Sequence, residues 1–462
     1  MGLLEEIVGT IMSAGPTIMM PIIITILGLA FGQKPGKVIR SAITVGVGFI
    51  GIYMTVDLFI GSVGPAAAAM VDRLGVRLTA FDVGWPVVSA ISWGMPTAYP
   101  VIPVSLAVNI AMLLLGLTRT LDIDVWNYWA FCLTAALVYL VTGNYIMGIV
   151  AAAIHCILAL KISDWVAPIV ADPENFNLPG LSFPHGNMML APYAFLIDKV
   201  LTKIPGIGEI KADPESIRKR FGVLGEPVLL GFVLGIVLGV IAGFDVWGVA
   251  NVAMVSAATM LLIPRMVGIL MEGLMPIAEG VREFMSKRFP GREIIIGMDA
   301  AIVTGYPAVV AVALLLVPIS LILAVIMPGN ILLPYSDLGG LVFYAILAVA
   351  PSKGNIVRGL LSGTIQMALI IYIAGVMSPI VTEAARIVGF AIPAEALYVS
   401  SLDAGSNTIH WVITMLLAPF YGKGPMSWLY FDIIFIIGFF ACWWFLRNEP
   451  KRISATKIKA NR

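Results

Sequence analysis

FDVGWPVVSAISWGMP, residues 81–96, and IIIGMDAAIVTGYP, residues 294–307, decide how this chain is read. Both are apolar, yet Gly and Pro break them too often for a bilayer-crossing helix, which takes about 20 apolar residues. Gly and Pro at their ends read as re-entrant hairpins that enter a membrane and return. Such backbone is tolerated at membrane depth only where it is buried in protein or lines a cavity. The two segments belong to a longer self-similarity, in which landmarks of the first third return about 211 residues later. Pro65 in GPAAAAM is answered by Pro276 in MPIAEG, and Gly94 and Pro96 by Gly305 and Pro307. Gly143-Asn144 is answered by Gly354-Asn355, and, with a small drift in register, Pro103 by Pro318. An apolar chain with a repeat this long points to a transporter built from two related halves.

Composition sets the class. The 462 residues are 60% hydrophobic and 12% charged, against roughly 25% charged in soluble domains. This predicts an all-α polytopic membrane protein embedded in lipid. A net charge of +1 gives no case for nucleic-acid binding. Cys132, Cys156 and Cys442 all lie in apolar runs, so they read as small buried hydrophobes and not as a metal, disulfide or reactive-thiol set. Glu5 and Glu6 precede the first apolar run, so no cleaved signal peptide is expected. No cofactor or metal is called for.

Hydropathy predicts eleven spans. Five in the first half run over 16–32, 42–60, 97–116, 127–142 and 146–160. Five in the second run over 228–243, 247–271, 308–327, 339–350 and 359–377, and a last, 428–446, has no partner. Five spans is an odd number, so the second half must sit upside down relative to the first: an inverted repeat, each half with one hairpin. The predicted division is a first repeat at 1–160, a cytoplasmic-side linker at 161–224, a second repeat at 225–378, an outer segment at 379–427, and a last span with a basic tail at 428–462. Lys34, Lys37, Arg40 and Arg119 share one side with the linker cluster Lys199, Lys203, Lys211, Arg218, Lys219 and Arg220. Lys287, Arg288, Arg292 and the tail Lys451, Arg452, Lys457, Lys459 and Arg462 fall on it too. Basic residues gather in the cytoplasm, so the N-terminus is expected outside and the C-terminus inside. Asp72, Arg73 and Arg77 are a charge-mixed exception.

Paired short, Gly/Pro-interrupted segments point to a midplane binding site. Asp299, in the second hairpin, is costly there unless it faces a cavity and has partners. It reads as a bidentate acceptor for two neighbouring hydroxyls of a polyol, or as the cap of a helix beginning at Ala300; the two roles are compatible. Asn144 and Asn355 suit hydroxyl recognition or simply make the turn between two spans. Trp85, Trp126 and Trp129 offer flat faces to the C–H side of a sugar or anchor the interface. Asp124 and Asp337 read as N-caps of the fourth spans. In FPHGNMML, His185 and Asn187 are placed to bind hydroxyls, or else open a linker helix. His155 is expected to pack or hydrogen-bond inside its span, and His410 is assigned no role.

The chain resembles the galactitol-type membrane subunit, enzyme IIC, of the bacterial phosphoenolpyruvate-dependent phosphotransferase system. The pieces that match are GFIGI at Gly48, GPAAAAM at Gly64, FDVGWP at Phe81, DVWNYW at Asp124, PHG at Pro184, FGVLGEPV at Phe221, IPRM at Ile263 and PGN at Pro328. Each is weak alone; their order and spacing are specific, and they cover nearly the whole chain. SLDAGSNTIHW, from Ser401, matches only in part. The resemblance implies the ascorbate–galactitol superfamily, in the inner membrane of a bacterial cell. It implies a homodimeric scaffold, at 1–75 and 225–290, and a mobile core, at 76–160 and 291–378, that moves as an elevator. The substrate would lie between the hairpin tips, with the hairpin carboxylate falling on Asp299 and the linker histidine on His185. Phosphorylation belongs to a phosphocysteine on a separate IIB subunit, itself served by IIA, so no residue of this chain carries the phosphoryl group. The function expected is translocation of a sugar or alditol; the alternative is an ion-coupled secondary transporter of a small polar solute.

Overall fold

The computed structural model describes residues 16–75, 78–124, 128–221, 226–288, 294–393 and 396–446. Arg77, Trp126, Arg292 and the basic tail from Lys451 lie outside these residues, as do the side chains of Arg218, Lys287, Arg288 and Cys442.

The chain begins with α1 (Pro16–Ala30) and the long α2 (Pro35–Leu74), then β1 (Ala80–Asp82), α3 (Trp85–Gly94) and α4 (Ala98–Leu114). After β2 (Thr120–Asp122) come α5 (Trp129–Thr142), α6 (Tyr145–Val170), β3 (Leu181–Ser182) and α7 (Ala191–Leu201). α8 (Pro214–Phe221) leads to α9 (Pro227–Ala242) and the long α10 (Val246–Arg288). The remainder is β4 (Ile295–Gly297), α11 (Pro307–Ile326), β5 (Leu332–Leu333), α12 (Leu341–Val349), α13 (Ile356–Ile387), β6 (Tyr398–Ser400), α14 (Leu402–Ser406), α15 (Thr408–Leu417) and α16 (Ser427–Leu446). Every span expected from hydropathy coincides with a helix. Five of them, in α2, α6, α10, α11 and α13, are long and apolar enough to cross a membrane unaided. The chain is a helical, multi-pass membrane protein.

Local chemistry explains the boundaries. Pro35, Pro227 and Pro307 open α2, α9 and α11, where proline's missing N–H costs nothing. Gly143 and Gly354 take φ of +66° and +80°, a region that glycine enters without strain. The asparagine after each then caps the next helix: Asn144 accepts the Ile146 and Met147 N–H groups, and Asn355 that of Arg358. The asparagine of the recurring landmark is thus a helix start in both places, while Gly143 also closes α5 and α12 closes earlier, at Ala350. The two longest helices pack antiparallel through glycines. A Cβ on Gly48 would stand 2.6 Å from the Leu270 Cα, and one on Gly273 would stand 2.7 Å from the Val45 nitrogen. In a membrane, such close backbone approach replaces the hydrophobic drive that lipid does not supply.

The first broken segment forms β1, a turn and α3, which meets α4 at a bend of 97°. The second forms β4 and a single 3-10 turn, Ala300–Val303, before α11. Neither strand pairs within its own half. β1 lies between β5 and β6, all parallel; β4 lies between β2 and β3, also parallel. Each small sheet therefore takes its middle strand from one repeat and one flanking strand from the other, and its second flanking strand from the segment that follows that other repeat, 161–224 for β3 and 379–427 for β6.

Candidate functional site

The parallel strands end at a common pocket. β4 runs into Asp299, whose side chain accepts the Ala301 N–H at 2.6 Å and so caps the 3-10 turn. β3 runs into His185, which caps a second 3-10 turn, Gly186–Leu190, by accepting the Asn187 N–H on Nδ1 at 3.3 Å. With Nδ1 an acceptor, the ring proton sits on Nε2 and is available to donate. The imidazole is stacked on Phe343, ring centroids 6.4 Å apart and 19° between planes.

On the other side, β1 runs into Trp85, the first residue of α3, whose indole packs against Phe343 with ring centroids 6.2 Å apart and 62° between planes. Its position is fixed by buried carboxylates. Asp82 accepts the Gly84 N–H on Oδ1, and the Tyr335 and Asp337 N–H groups on Oδ2. Asp337 in turn accepts the Trp85 N–H on Oδ1 and the Leu402 N–H on Oδ2, both at 2.8 Å. This corrects the expectation for Asp337. It does not start its own span, for it lies inside the 3-10 turn Ser336–Gly340. Its carboxylate caps α3 and α14 from outside, because those helices present N–H groups that their own chain leaves without acceptors. Asp124 is buried beside Asp122, whose Oδ1 accepts the Asp124 N–H at 3.2 Å.

Of the eight residues given a binding role from sequence, five line this one pocket, Asp299, His185, Asn187, Trp85 and Trp129, and Trp126 lies outside the described residues. Asn187 also braces it, donating to the Phe343 carbonyl at 3.1 Å and accepting from the Ser406 hydroxyl at 2.9 Å. Asn144 and Asn355 are placed elsewhere. Asn144 is exposed at the α5–α6 turn. Asn355 lines a separate cleft of about 710 Å³ with Lys211, Tyr306, Lys353 and Arg358, and donates to the Ile210 carbonyl. In that cleft burial works to lower the Lys353 pKa, but its pairing with Glu174 and Asp172 outweighs burial and holds it above the ordinary lysine range.

Tyr53, Phe343, Tyr344 and Asp403 complete the pocket and were not found from sequence. Tyr53 comes from α2, and Asp403 from SLDAGSN, whose role was open. An acid among small residues in an apolar chain is itself a signal of function. The lining holds two carboxylates, Asp299 and Asp403, and no Lys or Arg among the described residues. It is narrow, about 20 Å³, room for little more than one water. Chemically it offers hydrogen-bond acceptors, one imidazole donor and aromatic faces.

The family model for the sugar-specific permease component of the phosphotransferase system matches residues 10–395. The chain belongs to that family. The galactitol-specific EIIC component of the system from Escherichia coli (strain K12) is 38% identical over 441 residues, 95% of this chain and 96% of that protein. Its counterpart in Escherichia coli O157:H7 gives the same values. A putative permease IIC component of Escherichia coli (strain K12) is 39% identical over 409 residues, 88% of this chain and 93% of that protein. As a permease of this family the protein works on a sugar or alditol with IIB and IIA subunits as partners, and the ion-coupled alternative is not favoured.

Proposed function

We propose that the protein imports a neutral, galactitol-like alditol and presents it to the phosphocysteine of IIB. The observation that carries the substrate class is the pocket lining: Asp299 offers a hydrogen-bond acceptor to hydroxyls, His185 a donor through Nε2, and Trp85 and Trp129 flat faces to C–H groups. The galactitol-specific relatives point the same way. At the cytoplasmic side the S–P bond of the phosphocysteine breaks, an O–P bond forms to a substrate hydroxyl, and that hydroxyl's proton leaves. The product is an anion in a pocket lined by carboxylates, which favours its release inward.

The architecture that fits this is the inverted repeat of eleven spans, with N-terminus outside and C-terminus in the cytoplasm. The crossed pairing of the two small sheets supports two equivalent halves. Residues 81–96 and 294–307 act as re-entrant hairpins at the membrane midplane. A homodimeric scaffold, 1–75 and 225–290, holds a mobile core, 76–160 and 291–378; 161–224 links the halves from the cytoplasmic side and reaches into the pocket with His185 and Asn187, 379–427 enters from the outer side and reaches the same pocket with Asp403, and 428–462 is the last span and tail. A pocket of about 20 Å³ is far too small for a six-carbon chain, so admitting substrate requires its walls to part. Tyr53 belongs to the scaffold and the rest of the lining to elements outside it, so an elevator movement would part them there.

The test is uptake of a radiolabelled polyol panel into vesicles holding the purified protein. With phosphoenolpyruvate, IIA and IIB, galactitol or a close alditol should accumulate as its phosphate. Omitting IIB, or removing its cysteine, should leave only slow exchange of unmodified substrate. Uphill accumulation of unmodified substrate on a proton or sodium gradient would reverse the conclusion.

A further inference from the structure

The pocket holds a carboxylate that the fold's own hydrogen bonding answers on one oxygen only: the Ser406 hydroxyl lies 3.4 Å from Oδ1 of Asp403. Asp403 is 3% exposed, lines the pocket, and its Oδ2 is buried with no hydrogen-bond partner among the described residues. Leaving a buried carboxylate oxygen unpaired is costly, so an acceptor kept in that state in a ligand pocket is best explained by a donor on the ligand.

The strand pairing shows why the position is not accidental. The Ser182 carbonyl accepts the Met298 N–H, and the Ser400 carbonyl accepts the Val83 N–H, each at 2.9 Å. His185 and Asp403 each stand three residues beyond those serines, on entry to a short helical turn. The residue after Met298 is Asp299, and those after Val83 are Gly84 and Trp85. The two small sheets thus deliver matching pairs into one cavity, Asp299 with His185 and Trp85 with Asp403.

The turn that carries Asp403 is held from several directions. Asp337 accepts the Leu402 N–H, and the Ser401 hydroxyl accepts the Ala404 N–H. The ring Nε2 of His410 lies 2.6 Å from the Ala404 carbonyl, and the Ser406 hydroxyl donates to Asn187. His155 closes the set: Nε2 faces the Asn407 amide at 3.3 Å, and Nδ1 faces Thr134 Oγ1 at 2.7 Å. Locking a side chain through its supporting bonds is how a binding group is pre-organised.

We propose that Asp403 is a second substrate-binding carboxylate. It accepts a hydrogen bond from a ligand hydroxyl and so selects neutral polyols over molecules of the same size that bear a carboxylate or phosphate. An ionised acid group on the ligand has no donor to offer it. This rests on the permease reading above, and the test separates the two. Galactitol binding to the purified protein is measured by calorimetry, and galactonate, which replaces one terminal hydroxymethyl by a carboxylate, by competition. Asp403→Asn should weaken galactitol binding tenfold or more, the range for a hydrogen bond to a charged group, and should lower the preference for galactitol over galactonate by a similar factor. Asp403→Glu, which restores the acid, should recover that preference. The preference is a ratio within one variant, so it does not depend on the folded fraction. An unchanged affinity and preference would overturn the proposal. So would a proportional loss for both ligands, which would make Asp403 only a brace for its turn. Failure of the wild-type protein to bind any alditol would instead remove the permease reading and this proposal with it.

Discussion

At the scale of single residues, Asp299 divides its two oxygens. Oδ1 is committed to the Ala301 N–H, while Oδ2 is not part of that cap. Asp299→Asn keeps an oxygen for the cap and the shape of the side chain, and loses the charge. It is expected to fold normally and to bind galactitol more weakly by about 1.5–3 kcal/mol, with His185→Ala losing only about 0.5–1.5 kcal/mol, the range for neutral hydrogen bonds; calorimetry on both variants checks the order. Asp299, His185 and Asn187 were legible in the sequence because polar side chains amid apolar, Gly-interrupted stretches are rare and expensive. Asp403, Tyr344 and Tyr53 were not. Tyr53 and Tyr344 sit in ordinary apolar helix, where a tyrosine carries no signal, and the acid of SLDAGSN, though a signal in itself, has no sequence neighbour that ties it to residues near 85 or 299. Asn144 and Asn355 show the reverse: their recurrence was visible, but recurrence reflects the demands of a helix boundary as readily as those of a ligand.

At the scale of elements, the carboxylates of Asp82 and Asp337 join three segments that share no helix: the first hairpin, the turn before α12, and α14. Asp337→Ala removes the acceptor of two helix-opening N–H groups, Trp85 and Leu402. Losing a cap typically costs about 0.5–2 kcal/mol, so the pair should lower stability by about 1–4 kcal/mol, seen as a drop in the thermal midpoint of the detergent-purified protein. Galactitol binding should weaken as well, since Trp85 and Asp403 both lose their anchor; an unshifted midpoint with wild-type binding would contradict that role. The helices themselves were legible, because twenty apolar residues between Gly, Pro and Asn punctuation leave few other options. The strands were not. β3 and β5 are two residues long, too short for alternation to register, and their partners are chosen by the tertiary fold.

At the scale of the whole molecule, the proposed topology places Lys37 and Lys211 on the cytoplasmic side. Cysteines introduced there into a cysteine-free protein should react with a membrane-impermeant maleimide in inverted vesicles and stay protected in intact cells; labelling of both from outside would reverse the orientation. The crossing of the two small sheets has a further consequence, for how the chain is made. A ribosome completes the first broken segment, β1 and α3, long before the residues that hold it exist. The Asp82 carboxylate waits for the Tyr335 N–H, 253 residues downstream, and β1 waits for β6 at Tyr398–Ser400. Through most of translation the nascent segment therefore carries an open strand edge and an unanswered acid, and needs shelter from the insertion machinery or from neighbouring helices. A transcript truncated between β5 and β6 would yield a protein without α14, α15 and α16 and with β1 paired on one edge only, a natural target for membrane quality-control proteases.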